Sequence, residues 1–317
     1  MKRIAALALF SALCMLLAVP AVARTYTVSV TQIVEHPSLD AVRQGFMDEL
    51  KALGIEATFN VHSAQGNIAT ANQIASQILG ERPDIVLAIA TPTAQAAAQK
   101  IKDIPILITA VTDPVGAGLV KSLNAPGANI TGMTDRSPVD RQLALIKEIV
   151  PSVKRLGVIY NAGEANSVAT FEQVKAEAVK LGWQVAPATV ANSAGVNQAA
   201  KSLVGKADAI YVGTDNTVIT ALEAIIKVCQ QSKLPLFTAD NDSVQRGSVA
   251  ALAVDYHRMG KQTAHMAKRI LVDGVKPASM PVEDLLELEL YVNKGAAKAM
   301  GVTVPQAVLS RADKIIE

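Results

Sequence analysis

The chain states one structural plan twice, and that repetition limits its folds more than any single motif does. PDIVLAIATPTAQAA (83–97) is echoed by ADAIYVGTDNTVITA (207–221), ALGIEATFNVHSAQGN (52–67) by KLGWQVAPATVANSAGVN (180–197), and IPILITAVTDP (104–114) by LPLFTADNDS (234–243). The copies lie roughly 130 residues apart, far beyond the ~20–50-residue period of solenoid repeats. The spacing fits a tandem pair of similar domains, as does a length of 317 residues at about 100–200 residues per domain.

Strand and helix patterns alternate within each copy. Residues 25–34 are rich in Val, Ile, Thr and Tyr, as strands are. Residues 39–53 then place Val42, Phe46, Leu50 and Leu53 at helical spacing before Gly54 ends the run. Strands over 55–61, 84–90 and 104–111 interleave with helices over 67–80 and 92–101. The second copy predicts strands over 156–160, 183–190, 209–212 and 234–238, with helices over 168–181, 196–204 and 217–231. Such alternation builds parallel sheets with helices on both faces, an α/β class of two Rossmann-like lobes. The runs IVLAIA and IPILIT suit strands buried on both sides.

In sheets of this kind ligands bind beyond the carboxyl ends of the strands. Five such ends are polar here: EHPS (35–38), TPT (91–93), NAGEANS (161–167), TDNT (214–217) and TADNDS (238–243). They are placed to face one another across a cleft. Further elements exceed the needs of two simple lobes: NITGMTD (129–135) before a helix over 139–150, a strand in SVAALAVD (248–255), a helix over 258–272, and a strand over DLLELELYVN (284–293). They suit a chain that crosses between lobes three times and so forms a three-segment hinge. The expected division is an N-terminal lobe of 24–133 plus 255–284 and a C-terminal lobe of 134–254 plus 285–317, hinged as a clamshell.

Residues 1–23 read as an export signal: basic Lys2 and Arg3, an apolar stretch from Ile4 to Val19, and an Ala21-Val22-Ala23 cleavage site. Cleavage near Ala23 would leave a periplasmic protein. Lys2 and Arg3 are the only charged residues removed, so 28 basic residues then face 28 acidic ones. That balance argues against a nucleic-acid surface. Only Cys229 remains, which excludes an internal disulfide and reads as a small buried apolar residue. His257 and His265 lie eight apart on a helix pattern without an acid or Cys at ligand spacing, so no metal is expected. GAG (116–118) lacks the third glycine of a dinucleotide loop, and no P-loop, HExxH or GxSxG occurs. No nucleophile–base pair stands out, so neither an enzyme nor a cofactor is expected.

Several segments carry a resemblance: ATPTAQAA, AVTDPVGAGLV, NITGMTD, YNAGEANSV, GTDNTV, TADNDSVQRGSVAALAVDYHRMGKQTAHMAKRIL and LELYVNKGAAKAMGV. With the exported two-lobed layout, they resemble type I periplasmic binding proteins, and more narrowly the ABC-transporter substrate-binding family that includes tryptophan- and other amino-acid-binding proteins. The resemblance implies capture of a small solute by a monomer that delivers it to an inner-membrane ABC permease. The alternative is a sensor that hands its closed form to a chemoreceptor or kinase.

Candidate ligand residues follow from the polar strand ends. Thr91 and Thr93 flank Pro92 where a helix begins; hydroxyls beside free N–H groups form an anion site, or simply cap the helix. Asn166 and Ser167 offer two adjacent donors, of which Ser167 could equally be a plain cap. Asp215 and Asp240 end neighbouring strands, either as caps or as partners of a ligand ammonium, and their first-copy counterparts are Thr91 and Ala110. The copies thus differ in polarity: hydroxyls for a carboxylate on one lobe, acids for an ammonium on the other. His36 reaches the cleft or sits in a solvated loop; Glu164 pairs with a ligand amine or faces water, the latter expected, and Asp113 closes a turn or contacts the ligand, the turn being expected. An aromatic content of 3% favours an aliphatic or amino-acid ligand over a sugar.

Overall fold

The computed structural model describes residues 24–317, and the expected export signal over 1–23 lies outside them. The first copy runs β1 (Tyr26–Gln32), α1 (Pro37–Ala52), β2 (Ala57–Ser63), α2 (Ile68–Glu81), β3 (Ile85–Ile89), α3 (Thr91–Lys100), β4 (Ile106–Thr109) and β5 (Ile130–Thr134). The second runs α4 (Val139–Ile149), β6 (Arg155–Asn161), α5 (Ala165–Lys180), β7 (Gln184–Val190), α6 (Val196–Leu203), β8 (Ala209–Val212), α7 (Asn216–Thr220), α8 (Leu222–Ser232), β9 (Leu236–Thr238), α9 (Asn241–Arg246) and β10 (Ala250–Ala253). There follow α10 (Tyr256–Leu271), β11 (Glu283–Asp284), β12 (Glu289–Asn293), α11 (Lys294–Ala299), α12 (Gln306–Leu309) and β13 (Lys314–Ile316).

Two sheets result, ordered β2-β1-β3-β4-β5-β11 and β7-β6-β8-β9-β10-β12-β13. The repeated strands thus take the same order in both, and every pair is parallel except β10 with β12. The inner strands β3 and β4 are buried along their whole length, which accounts for their unbroken apolar runs. Register brings the carboxyl ends level: Gln32 pairs with Ser63 and Ile89, and Ile89 with Thr109. The loops that follow are therefore gathered along one rim.

The chain passes between the sheets three times: from β5 into α4, from β10 into α10, and from β11 into β12. Each passage is short because the neighbouring element packs at once into the other core: Val139 and Leu143 of α4 into the second, Met259 and Ala264 of α10 into the first. Here the structure corrects one expectation. Residues 284–293 are not one strand: Asp284 pairs with Thr134 in the first sheet, whereas Glu289–Val292 pair antiparallel with β10 in the second. Two strands laid end to end across a hinge show the same alternation as one. The helix expected over 217–231 is likewise divided, restarting at Ala221.

Cys229, expected to be a small buried residue, lies in the second core with Trp183, and burial pushes its thiol up to about 12. Helix α10 is fastened to α1 by close backbone approach. A Cβ on Gly260 would collide with the Val42 carbonyl oxygen, and one on Gly45 with that of His257. By contrast, Gly80 in α2 has open space around its Cβ direction. Gly260→Ala is therefore expected to cost about 1–3 kcal/mol by forcing the helices apart, lowering Tm by several degrees. Gly80→Ala should leave Tm unchanged or raise it, since Ala is the better helix former. Thermal unfolding followed by circular dichroism checks both.

Candidate functional site

The two rims face each other where the strand order reverses, between β1 and β3 in one sheet and β6 and β8 in the other, the usual position for a ligand in open α/β sheets. They touch. Ser38 Oγ donates to Asp240 Oδ1 at 3.0 Å, and the Thr112 and Thr214 hydroxyls lie 3.0 Å apart. Between them lie an inner chamber of about 30 Å3 beside the hinge and an outer groove of about 260 Å3, both lined in part by Asn216.

Acids surround the chamber. Asp240 caps α9 by accepting from Ser243 N at 2.8 Å and Ser243 Oγ at 2.6 Å, in addition to Ser38. Asp215 caps α7, accepting from Val218 N at 2.8 Å and Asn161 N at 2.6 Å, with the Ser167 hydroxyl beside it. Burial, reinforced by the negative charge of Glu164, pushes the Asp215 carboxyl up to about 7. Asp135 sits at the first hinge passage and accepts from Tyr256 Oη at 2.8 Å and Thr112 Oγ1 at 3.0 Å; burial raises its carboxyl, and these two bonds oppose the rise. Among the described residues lining the chamber none is Lys or Arg. His36 also lines it, and burial lowers its imidazole below the ordinary value despite the opposing pull of Asp240.

Glu164 does not face water as expected. It is 4% exposed and accepts from Asn216 Nδ2 at 2.6 Å, Thr217 N at 3.0 Å and Thr217 Oγ1 at 2.7 Å. The reason is tertiary: α7 begins directly opposite Glu164, and its free N–H groups attract the carboxylate. Asp113 does close a turn, accepting from Gly116 N at 2.8 Å.

Donors come from helix starts. Helices α1, α3 and α5 begin at the cleft with no side-chain cap, so first-turn N–H groups are left without intrahelical acceptors. Side-chain atoms nearby are also unpartnered although buried: His36 Nδ1, Thr91 Oγ1, Asn166 Oδ1 and Asn241 Oδ1. A buried polar atom without a partner costs about 1–3 kcal/mol, and such atoms mark places where a bound group completes the hydrogen bonding. Backbone strain accompanies them: Ala90, which precedes α3, has φ 78° and ψ 157°, a region otherwise held by glycine at a cost of about 1–3 kcal/mol. The chamber-lining Ala110 has φ 53°.

Of the residues singled out from sequence, His36, Asn166, Asp215 and Asp240 line the chamber together. Thr91, Thr93 and Ser167 are buried at helix starts beside the cleft but do not line it. Thr93 Oγ1 is turned to its own strand, donating to Ile89 O at 2.6 Å. Ser38, Thr214 and Asn216 also line the chamber and lie in the polar strand ends EHPS and TDNT without being singled out there, whereas sequence reasoning missed Thr112, Asp135 and Tyr256. Asp135 had a signal, since it is the last residue of NITGMTD, where the chain leaves the first sheet.

The family model for ABC transporter substrate binding proteins matches residues 27–316. The chain belongs to that family. A tyrosine-binding protein of Clostridioides difficile is 39% identical over 277 residues, covering 86% of this chain and 80% of that protein. A Streptococcus pneumoniae ABC domain solved in complex with L-Trp is 34% identical with a TM-score of 0.89, over 92% of this chain and 100% of that one. A substrate-binding protein with adhesive properties from Clostridium difficile, in its ligand-free, open structure, is 38% identical but has a TM-score of only 0.69, over 92% of this chain and 99% of that one. The lower score belongs to a ligand-free, open structure. With Ser38 bonded to Asp240 across the cleft, this ABC transporter substrate-binding protein is in a closed arrangement.

The Asp215 carboxyl titrates higher in the fold than in the unfolded chain, so the folded state retains a proton that the unfolded state releases from about pH 4 upward. Its contribution to stability is greatest at low pH and declines as pH rises toward about 7. Asp215→Asn should remove that decline, flattening the urea midpoint between about pH 4 and 7 relative to wild type. Ala90→Gly should relieve backbone strain and raise the urea midpoint at fixed pH.

Proposed function

We propose that this protein is the periplasmic solute-binding component of an ABC importer and captures an amino acid by clamshell closure. The lobes would be 24–133 plus 255–284 and 134–254 plus 285–317. The observation that carries the amino-acid reading is the charge pattern of the cleft: Asp135, Asp215 and Asp240 line the chamber without Lys or Arg, opposite uncapped helix starts. A buried carboxylate stands most favourably beside a positive partner, so the ligand brings an ammonium to Asp240 and Asp215. Its carboxylate lies toward α1 and α3 of the first lobe, where free N–H groups and His36 supply donors and the helix dipoles favour an anion.

Size supports the same reading. The groove of about 260 Å3 lies below the ~300–1,000 Å3 usual for small-molecule sites, which suits an amino acid better than an oligosaccharide or peptide. The tyrosine-binding relative and the L-Trp complex support the ligand class. The ligand acts by binding the closed form better than the open one, which shifts the population toward closure. The permease then reads the closed shape.

A thermal-shift screen of residues 24–317 against the L-amino acids tests this reading. At 100 times its Kd a ligand stabilises the fold by about 2.7 kcal/mol, a Tm rise of several degrees. Asp240→Asn removes the charge but keeps a good N-cap residue, so the ligand-free Tm should change little. Affinity should fall at least 100-fold, because breaking a buried charge pair costs about 3–5 kcal/mol. Wild-type affinity in this variant, or a screen in which no amino acid raises Tm, would overturn the proposal.

A further inference from the structure

We infer that capture in the cleft is coupled to the release of a proton held by the buried carboxylates of Asp215 and Glu164, so that acid weakens binding. The inference rests on the amino-acid reading above and adds proton regulation to the same site. It follows from where the two acids stand and from what surrounds them.

Both acids are built into the second lobe. Glu164 precedes α5, and Asp215 caps α7. Asp215 lines the chamber and Glu164 the groove. Their donors meet at the first turn of α7: Val218 N donates to Asp215 Oδ1 at 2.8 Å, while Thr217 N and Oγ1 donate to Glu164 Oε1 at 3.0 and 2.7 Å. Asn216 Nδ2 and Asn166 Nδ2 donate to Glu164 Oε2 at 2.6 and 3.2 Å. Glu164 thus has donors on both oxygens, several of them side chains, and is the better stabilised as an anion. Asp215 has two backbone donors, Asn161 N and Val218 N. The Ser167 hydroxyl beside it can donate to the ionised acid or accept from the protonated one. Every one of these partners belongs to β6, α5 or the start of α7, so the pairing of the two acids does not need the first lobe.

No cation offsets the two charges. The other titratable groups of the chamber are Asp240 at the end of β9, Asp135 and Tyr256 at the hinge passages, and His36 before α1. Among the described residues lining the chamber or the groove none is Lys or Arg. Arg246 of α9, which bears on His36, is engaged by Glu223 at 2.8 and 2.9 Å. Two carboxylates in one desolvated site do not both ionise readily, and the pair keeps a proton to higher pH than an isolated acid does. Burial and the charge of Glu164 accordingly hold the Asp215 carboxyl up to about 7. A ligand ammonium supplies the missing cation. On its arrival the proton leaves Asp215 for the solvent, and the ionised acid accepts from the ammonium.

This exchange sets the sign. Below about pH 7 the ligand-free site holds the proton and binding must displace it, whereas above that pH nothing is displaced. Affinity therefore falls as pH falls. His36 acts with the opposite sign, because an imidazole that receives the ligand carboxylate gains a proton on binding. Burial lowers its imidazole below the ordinary value, so it is mostly neutral at neutral pH. The two groups are thereby told apart by the direction in which the proton moves.

Isothermal titration of residues 24–317 tests the inference, with L-Tyr, L-Trp and the L-amino acid that raises Tm most in the screen. Affinity should fall about 10-fold between about pH 8 and about pH 6. At about pH 6.5, titrations in phosphate and in Bis-Tris, which differ in ionisation enthalpy, should report release of roughly three-quarters of a proton per ligand bound. Asp215→Asn should bind more weakly than wild type near pH ~8 but with an affinity that no longer depends on pH. Glu164→Gln removes the reinforcing charge, so its fall in affinity should move to lower pH. A wild-type affinity constant over this range, proton uptake in place of release, or an undiminished pH dependence in Asp215→Asn overturns the inference while leaving the amino-acid reading intact. Failure of every L-amino acid to bind overturns both.

Discussion

Burying several carboxylates at one seam is the constraint on which the site depends. Asp135, Asp215, Asp240 and Glu164 are each at most 5% exposed, and a desolvated carboxylate persists only with donors around it. The fold supplies them in two ways. Glu164 and Asp215 take backbone N–H groups at the start of α7, Asp240 takes those of α9, and Asp135 takes hydroxyls from Tyr256 and Thr112. Asp240 draws one further donor, Ser38, from the opposite lobe. The approach of the two rims and the satisfaction of this acid are thus coupled.

The repeat explains how one architecture presents two chemistries. Both lobes place helix starts at the cleft, and a helix start is electropositive whatever its sequence. In the second lobe α7 and α9 are neutralised by their own Asp caps. In the first lobe α1 and α3 have no side-chain cap. The equivalent positions Asp215 and Thr91, Asp240 and Ala110, therefore set the lobes' opposite polarity. The strained backbone at Ala90 falls where α3 must be aimed without a capping side chain to hold it, and Ala110, also at positive φ, follows β4 in the same lobe.

The hinge passages also supply part of the chamber lining. Asp135 follows β5 at the first passage and Tyr256 opens α10 at the second, and their hydrogen bond ties two passages together at the floor of the chamber. Thr112 extends this network to Thr214 of the second lobe. The residues of the hinge passages are thus bonded to those that line the chamber.

Much of this was legible in the amino-acid sequence because it depends on local periodicity. Alternating patterns located nearly every strand and helix, internal repetition established two similar lobes, and the polar strand ends of EHPS, TDNT and TADNDS marked residues that do meet at the chamber, His36, Asp215 and Asp240 among them. Contacts between distant segments were not legible, since no local pattern encodes them. The burial of Glu164 depends on where α7 starts, the division of 284–293 on which sheet each end joins, and the places of Asp135 and Tyr256 on the path of the hinge. Periodicity specifies what each segment becomes and which face it buries. Only packing of the two lobes against each other decides which polar groups are matched within a lobe, which across the cleft, and which remain for a ligand.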